Sequence, residues 1–342
     1  MVKDLDTIRR AWGCMLGQLA GDSLGSQVQF KSAKIALSFY PDGVDELEGS
    51  GLYGTIPGQP TGASEMALTL ARSLVKEGGF NAGCVLDSYK VWLKSRPVDF
   101  PHSVFRALHG KVDARSQSNS ALARVSPLGI WGARSIPAAS LPCDDGASPS
   151  LALLASDEAT LALAATAMEE AALTNPHPVC RVASAVYVVA LAYGIRGGGR
   201  RGMHEAALVM AEKLAADEAL TEAASLVARS LRAAENELPA DFQTDMSHVL
   251  IALQNGFYRL LNITDAGEAV RDTVMQGGDA VGNAAVAGAL LGAALDIDAF
   301  PTQWVDAVLA CVAEEGRSGV AHPRPEAYWP VDFMPLIEKL LG

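Results

Sequence analysis

The sequence predicts an all-α protein that folds as a single compact domain of many helices. Alanine and leucine dominate a chain that is 49% hydrophobic, whereas aromatic residues make up only 6%. This composition favours closely packed helices over a β-sandwich, which would use more valine, threonine and aromatic residues. No interdomain linker or internal repeat interrupts the 342 residues, so we expect one domain over residues 1–342.

Residues 277–294 predict the central helix of this domain. Two glycines end the preceding segment, Asp279 follows at the expected helix start, and small apolar residues fill the rest. Gly288 and Gly292 share one helical face, where the lack of side chains lets a neighbouring backbone approach closely. The run is too short and too rich in alanine and glycine to cross a membrane. Asp279 can cap this helix, bind a cation or hold a ligand hydroxyl.

The first helix, predicted over residues 5–21, carries a second close-packing stripe. Gly13, Gly17 and Gly21 recur at intervals of four residues and therefore lie along one face. Asp22 follows between glycines, where it either caps the next helix or points into a site. A cap is the simpler interpretation.

Further segments show the apolar spacing and composition that are typical of helices. The long turn-rich loop over residues 41–60 indicates a functional segment, and residues 135–150 are typical of a surface insertion. The predicted helices cover residues 62–77, 81–95, 151–173, 179–195, 203–215, 217–236, 242–255, 265–275, 298–315 and 331–341.

Charge and cysteine content exclude several functional classes. A net charge of −12 and a pI near 5.0 oppose binding to nucleic-acid phosphates, which depends on lysine and arginine. The five cysteines are scattered and form no CxxC pair, so neither a disulfide framework nor a zinc cluster is expected. Residues 1–12 are charged and lack the apolar core of a signal peptide. We expect a cytoplasmic protein that binds neither nucleic acid nor a membrane.

A cluster of serine and asparagine predicts an anion site. Ser118, Asn119 and Ser120 lie where a short helix is expected to open, so their backbone N–H groups would be free to bind a phosphate. An ordinary helix cap is the alternative, and it is the commoner use of such residues.

Four segments, in this order, resemble the ADP-ribosylglycohydrolase family, whose bacterial members include the dinitrogenase-reductase-activating glycohydrolases. The likeness extends over nearly the whole chain and implies the all-α fold of that family. The four segments are residues 13–25, 57–68, 118–129 and 277–292.

The resemblance also implies where a metal site would lie, because active members of the family hold two magnesium ions. A Thr-Asp-Asp-Thr stretch of the family is Thr-Gly-Ala-Ser here, at residues 61–64, and an acidic position after the first motif is Gln29. A late Asp-x-Asp-Thr stretch keeps only its first aspartate, Asp279. A family histidine in the middle segment is Asn175 here, with His177 two residues further on.

These replacements predict that the dinuclear site is lost. Two dications about 4 Å apart repel by roughly 16 kcal/mol at an effective dielectric constant of about 20. Several carboxylates must offset that repulsion, and Asp279 with Asp22 or Glu65 nearby offers too few. We therefore expect no metal cofactor, magnesium included.

The first functional hypothesis is a metal-free member of the family that binds an ADP-ribose-like or nucleotide-like ligand without the usual hydrolysis. Its partner would be an ADP-ribose-like small molecule or an ADP-ribosylated protein. The resemblance implies that the turn at residues 118–120 supports a diphosphate, and an aspartate can bind a ribose diol without a metal. Tyr328 and Trp329 are candidates for stacking on adenine. The predicted ligand-binding residues are Thr61, Ser64, Ser118, Asn119, Ser120, Asp279 and Asn283.

Two alternatives remain open. The protein could be a metal-independent glycosidic hydrolase in which Asp279 is catalytic and works with Asp22 or Glu65 as a carboxylate pair. For Glu65, charge complementarity with a helix N-terminus is the simpler interpretation. The protein could instead be an immunity or regulatory protein that binds an ADP-ribosylating toxin, a transferase or a modified protein through the loops 41–60 and 135–150.

Overall fold

A computed structural model describes residues 4–136, 154 and 156–342 of the chain. Within these residues lie fifteen α-helices and no β-strand, which confirms the all-α prediction. Most of the predicted 135–150 insertion lies outside the described residues. The helices are α1 (Leu5–Ser26), α2 (Ala33–Phe39), α3 (Gly62–Glu77), α4 (Ala82–Lys94), α5 (His102–Leu108), α6 (Ser126–Ala133), α7 (Glu158–Ala172), α8 (Pro178–Ile195), α9 (Gly199–Leu214), α10 (Thr221–Ala233), α11 (Val249–Leu261), α12 (Ala266–Met275), α13 (Ala280–Leu295), α14 (Thr302–Ala310) and α15 (Phe333–Leu341).

The two glycine stripes meet in the centre of the molecule, where α1 and α13 pack antiparallel with their backbones in contact. A Cβ atom on Gly17 would lie 2.1 Å from the carbonyl oxygen of Gly288, and one on Gly288 would lie 2.0 Å from that of Gly17. Gly13 approaches Gly292 in the same way. Any larger residue would force the two helices apart. These glycine contacts therefore fix the position of α1 along α13.

Helix α8 is the longest apolar helix of the core. Its mean hydropathy of 1.6 and its 18 residues would allow it to cross a membrane. However, 89% of those residues are buried among the other helices, and core helices commonly pass the same test. Tyr187 of α8 donates a hydrogen bond to the carbonyl oxygen of Val286 in α13, at 3.2 Å, which ties α8 to the central pair.

The helices predicted to start near residues 118 and 242 do not begin there. The Ser118–Ser120 cluster opens no helix; it lies in a turn, and α6 begins only at Ser126, with Pro127 in its first turn. The helix expected from residue 242 begins at Val249, because the Asp241 carboxylate accepts from the N–H groups of residues 243 and 244 and holds a turn there.

Candidate ligand-binding cavity

A cavity of about 460 Å³ lies where several segment ends converge. Its volume falls in the range of small-molecule sites. The first turn of α3 lines one side, and the first turn of α13 lines another. The lining also includes Gln29 and Phe30 after α1, residues 99–103 before and within α5, and Ser116 with the turn at residues 118–120.

Asp279 lies at the wall of this cavity with 8% of its surface exposed, and its carboxylate accepts three hydrogen bonds from the protein. Oδ1 accepts from the backbone N–H of Gly282 at 3.2 Å, so Asp279 caps α13 as predicted. The same oxygen accepts from the Gln29 side-chain amide at 2.9 Å, and Oδ2 accepts from the Asn119 amide at 3.0 Å. These bonds join three segments that are far apart in the chain.

Gln29 is held in one orientation by a second bond. Its Oε1 accepts from the backbone N–H of Val281 at 2.8 Å, so its Nε2 must face the Asp279 carboxylate. Gln29 therefore presents an N–H donor, and not an oxygen, at the position where it contacts Asp279.

Asp22 also acts as a cap, although not for the helix that follows it. Its carboxylate accepts from the backbone N–H groups of Thr61 and Ser64, both at 2.9 Å, and so caps α3 from a different helix. Burial raises the pKa of Asp22, and these bonds oppose that rise. Asp22, Thr61 and Ser64 are fully buried and none of them lines the cavity.

Glu65 faces away from the cavity and forms a buried ion pair. Its two carboxylate oxygens accept from Nε and Nη2 of Arg324 at 2.7 and 2.8 Å, and Oε2 also accepts from the Trp92 indole at 2.7 Å. Nη1 of Arg324 also donates to the carbonyl oxygens of Ser95 and Arg96, at 2.7 and 3.0 Å. These two residues directly precede the segment that enters the cavity. The structure therefore places neither Asp22 nor Glu65 beside Asp279 in the cavity.

The turn at residues 118–120 reaches the cavity, but the backbone N–H groups of Asn119 and Ser120 are already used. The N–H of Asn119 donates to the carbonyl oxygen of Ser247 at 2.8 Å, and that of Ser120 donates to the Ser118 hydroxyl at 3.3 Å. The Ser120 hydroxyl donates to Asn175, the position of the family histidine, at 2.9 Å. The expectation of free N–H groups at residues 119 and 120 is thus wrong, and side chains are what this turn offers a ligand.

The remaining predicted residues lie elsewhere. Asn283 is fully buried one turn into α13, with no hydrogen-bond partner for its side-chain amide among the described residues, and it does not line the cavity. Tyr328 is buried against the Arg324 guanidinium, and the Trp329 indole donates to the Arg324 carbonyl oxygen. Neither aromatic ring lines the cavity, whereas Phe30 and Phe100 do.

Sequence analysis missed Asp99, which lines the cavity between two prolines in the segment after α4. Burial and the nearby Asp279 carboxylate together raise the pKa of Asp99 to about 6, although the Tyr53 hydroxyl lowers it in part. The Asp99 carbonyl oxygen lies 2.4 Å from where a Cβ on Gly62 would be. No local pattern distinguishes this aspartate from other loop aspartates, so only the fold reveals it.

We expect replacement of Asp99 by asparagine to stabilise the protein at neutral pH. The pKa in the folded state is about 6, above the ordinary value of 3.8, so the folded state holds the proton more tightly. Stability is therefore lost as pH rises from about 4 to 6, and the penalty is complete above that range. Removing it should add up to about 2 kcal/mol at pH 7, since one pKa unit corresponds to about 1.4 kcal/mol and solvent reaches part of the group.

Urea unfolding of Asp99→Asn and wild type between pH 4 and pH 8 measures this difference. The exposed Asp42→Asn variant is the control, and its difference from wild type should not change over that range. A difference for Asp99→Asn that is equally flat would contradict the assignment.

The described ranges contain no group of three or more histidine, cysteine, aspartate or glutamate side chains arranged to hold a metal ion. Asp99, Asp113 and Asp279 are the carboxylates among the lining residues. Arg106 lies in the same lining, so the cavity combines carboxylates, hydroxyls, amides, a guanidinium and two phenyl rings.

The chain forms an all-α domain with a cavity between the first turns of two buried helices. The chain belongs to the ADP-ribosylglycohydrolase family, which matches residues 3–324. It is 26% identical to an ADP-ribosyl glycohydrolase of Acanthamoeba polyphaga mimivirus, over 94% of this chain and 97% of that protein. It is also 26% identical to the ADP-ribosyl-dinitrogen reductase glycohydrolase of Rhodospirillum rubrum, over 91% and 94% of the two chains.

A solved structure has the same fold. It is described as an ADP-ribosylglycohydrolase-related protein complex, and it superimposes with a TM-score of 0.69 over 98% of this chain and 99% of its own. At 22% identity this likeness establishes the fold alone. Together with the family match it confirms the resemblance drawn from the four sequence segments.

Proposed function

We propose that the cavity binds an ADP-ribose-like or nucleotide-like ligand without the two-magnesium chemistry of active family members. The observation that carries this proposal is the environment of Asp279. Gln29 and Asn119 both direct amide N–H groups at its carboxylate, where a metal site would need further oxygen ligands.

The other candidate ligand positions fit magnesium no better. Gly62 and Ala63 line the cavity, but their side chains carry no atom that could bind a metal ion. An aspartate at position 62 would also collide with the backbone of Asp99, because its Cβ would lie 2.4 Å from the Asp99 carbonyl oxygen. The residues present therefore do not fit a dinuclear magnesium site, and we assign no step of any reaction to one.

The cavity still offers the groups that a nucleotide-like ligand needs. The Ser118 hydroxyl and the Arg106 guanidinium can bind phosphate oxygens, and Asp279 and Asp99 can accept hydrogen bonds from ribose hydroxyls. Phe30 and Phe100 line the cavity and are 51% and 43% exposed, so they are the aromatic rings available to contact a base.

Arg106→Gln should weaken binding of ADP-ribose about tenfold and leave adenosine unaffected. The reason is that a guanidinium–phosphate hydrogen bond contributes roughly 1.5 kcal/mol or more, whereas adenosine carries no phosphate. Calorimetric titration of both ligands into wild type and variant measures this. Arg115→Gln is the matched control, since that side chain is 95% exposed and does not line the cavity. Absence of ADP-ribose binding to the wild type would refute the proposal.

A second candidate is a metal-independent glycosidic hydrolase, and the specific observation that favours it is the raised pKa of Asp99. A carboxyl group whose pKa is raised by burial and by a neighbouring carboxylate is the pairing used by glycosidic general acids. Asp99, and neither Asp22 nor Glu65, would then act with Asp279. Release of ADP-ribose in EDTA that survives both Asp99→Asn and Asp279→Asn would rule this out. The immunity or regulatory alternative stays a prediction.

A further inference from the structure

Helix α2 is unusually apolar for a surface element. Of its seven residues only Ala36 is buried, whereas Ile35, Leu37 and Phe39 are 47%, 55% and 65% exposed. Phe30, just before the helix, is 51% exposed. We refer to Phe30, Ile35, Leu37 and Phe39 as the α2 ledge. Four exposed apolar residues within ten positions of the chain give this part of the surface the apolar character that interaction sites share.

The α2 ledge is fastened to the rim of the cavity. The N–H of Phe30 donates to the carbonyl oxygen of Gly278, and the N–H of Gly278 donates to that of Lys31, both at 2.8 Å. Gly278 directly precedes Asp279. A Cβ on Gly278 would lie 1.9 Å from the Phe242 carbonyl oxygen, so this junction is closely packed and holds the ledge in place.

Phe30 belongs to both the α2 ledge and the cavity lining. Its φ is +62°, a left-handed conformation that bulky residues avoid. Such conformations persist where the surrounding bonds determine them, and they concentrate at functional sites. Here the strained backbone directs the ring to the boundary between the ledge and the cavity.

The charged residues that lie between those of the α2 ledge in the chain are positive, whereas the molecule as a whole is negative. Lys31 and Lys34 are the only ionisable residues between positions 30 and 39, in a chain with a net charge of −12. The Lys31 ammonium lies 5.5 Å from the centre of the Phe39 ring. A partner that combines apolar side chains with carboxylates would match this surface, whereas the overall negative charge opposes an anionic bilayer.

We propose that the α2 ledge docks a protein segment with apolar side chains flanked by carboxylates, and that a derivatised side chain of the same segment enters the cavity beside Phe30. This inference rests on the proposed function and extends it, because it adds a surface outside the cavity that recognises the residues flanking the modified side chain. The α2 ledge then adds to the affinity for a modified protein segment, whereas a small ligand that fills only the cavity does not contact most of it.

The test compares three probes by fluorescence anisotropy or calorimetry. They are free ADP-ribose, an ADP-ribosylated 15-residue peptide flanked by leucine and glutamate, and the same peptide with lysine in place of glutamate. Wild type should bind the acidic peptide at least tenfold more tightly than the other two. The double variant Leu37→Ser/Phe39→Ser should lose that preference and keep its affinity for ADP-ribose. Val91→Ser, which removes a 61% exposed apolar side chain of α4, should behave as wild type.

The outcomes separate this proposal from the proposed function. Binding of ADP-ribose with no preference for the acidic peptide would overturn the ledge proposal alone, and so would a preference that the double variant retains. Absence of ADP-ribose binding would overturn the proposed function; the unmodified acidic peptide then tests the ledge, which must bind it in wild type and not in the double variant. Ledge-dependent binding to phosphatidylserine vesicles, or ledge-dependent dimerisation in sedimentation equilibrium, would also overturn the proposal.

Discussion

Gly288→Ala is expected to destabilise the protein by about 3 kcal/mol or more, although it adds a single methyl group. The methyl carbon would lie 2.0 Å from the Gly17 carbonyl oxygen, and no flexible side chain is available to move aside. The two central helices would have to separate, and the first turn of α13, which carries Asp279 to the cavity, would move with them.

Urea unfolding of purified Gly288→Ala and wild type measures this loss. Gly79→Ala is the matched control, because the nearest atom to a Cβ there is 3.8 Å away, in the Trp131 ring. That variant should lie within about 1 kcal/mol of wild type. Stability of Gly288→Ala equal to that of the control would contradict the close contact between α1 and α13.

Arg324→Met is expected to cost about 3–5 kcal/mol, because it leaves the Glu65 carboxylate buried without its counter-charge. The side chains of both residues are almost completely buried, at 2% and 0% exposure. The substitution also removes the donors to the Ser95 and Arg96 carbonyl oxygens, which precede the segment that brings Asp99 into the cavity. Ligand affinity should therefore fall as well as stability.

Two comparisons separate the buried pair from ordinary surface charge. Arg232→Met breaks an ion pair with Glu212 whose members are 53% and 62% exposed, and it should change stability by less than about 1 kcal/mol. The double variant Glu65→Gln/Arg324→Met should recover part of the loss, since no unpaired charge then remains buried. A loss for Arg324→Met as small as that for Arg232→Met would contradict the role of the pair.

The sequence was sufficient for the fold because its strongest signals are local and repeated. Apolar spacing placed α3 at residues 62–77, where the structure has it, and the glycine stripes indicated that α1 and α13 are close-packed helices. The N-terminal cap by Asp279 also followed from its position before an apolar run. Each of these inferences depends on residues within a few turns of one another.

The cavity could be predicted only in part, because its contacts join residues far apart in the chain. Glu65 is in the first turn of α3, as expected, but its partner Arg324 lies 259 positions further on. Gln29 and Asp279 are separated by 250 positions, and only the family resemblance, not the residues around either one, indicates that they meet. Asp99 carries no pattern at all. Long-range pairing therefore decided which carboxylates face the cavity and which serve as caps or ion-pair partners.

The most direct test of the central claim is calorimetric titration of ADP-ribose into the wild-type protein, first in EDTA and then in excess magnesium. Amide N–H groups of the protein already occupy both oxygens of the Asp279 carboxylate, and the side chains at positions 62 and 63 offer no ligand atoms. We therefore expect binding in EDTA with an affinity that magnesium changes by less than about twofold, since no metal site couples to the ligand. Binding that requires magnesium would contradict the account and would return the protein to the metal-dependent hydrolases of its family.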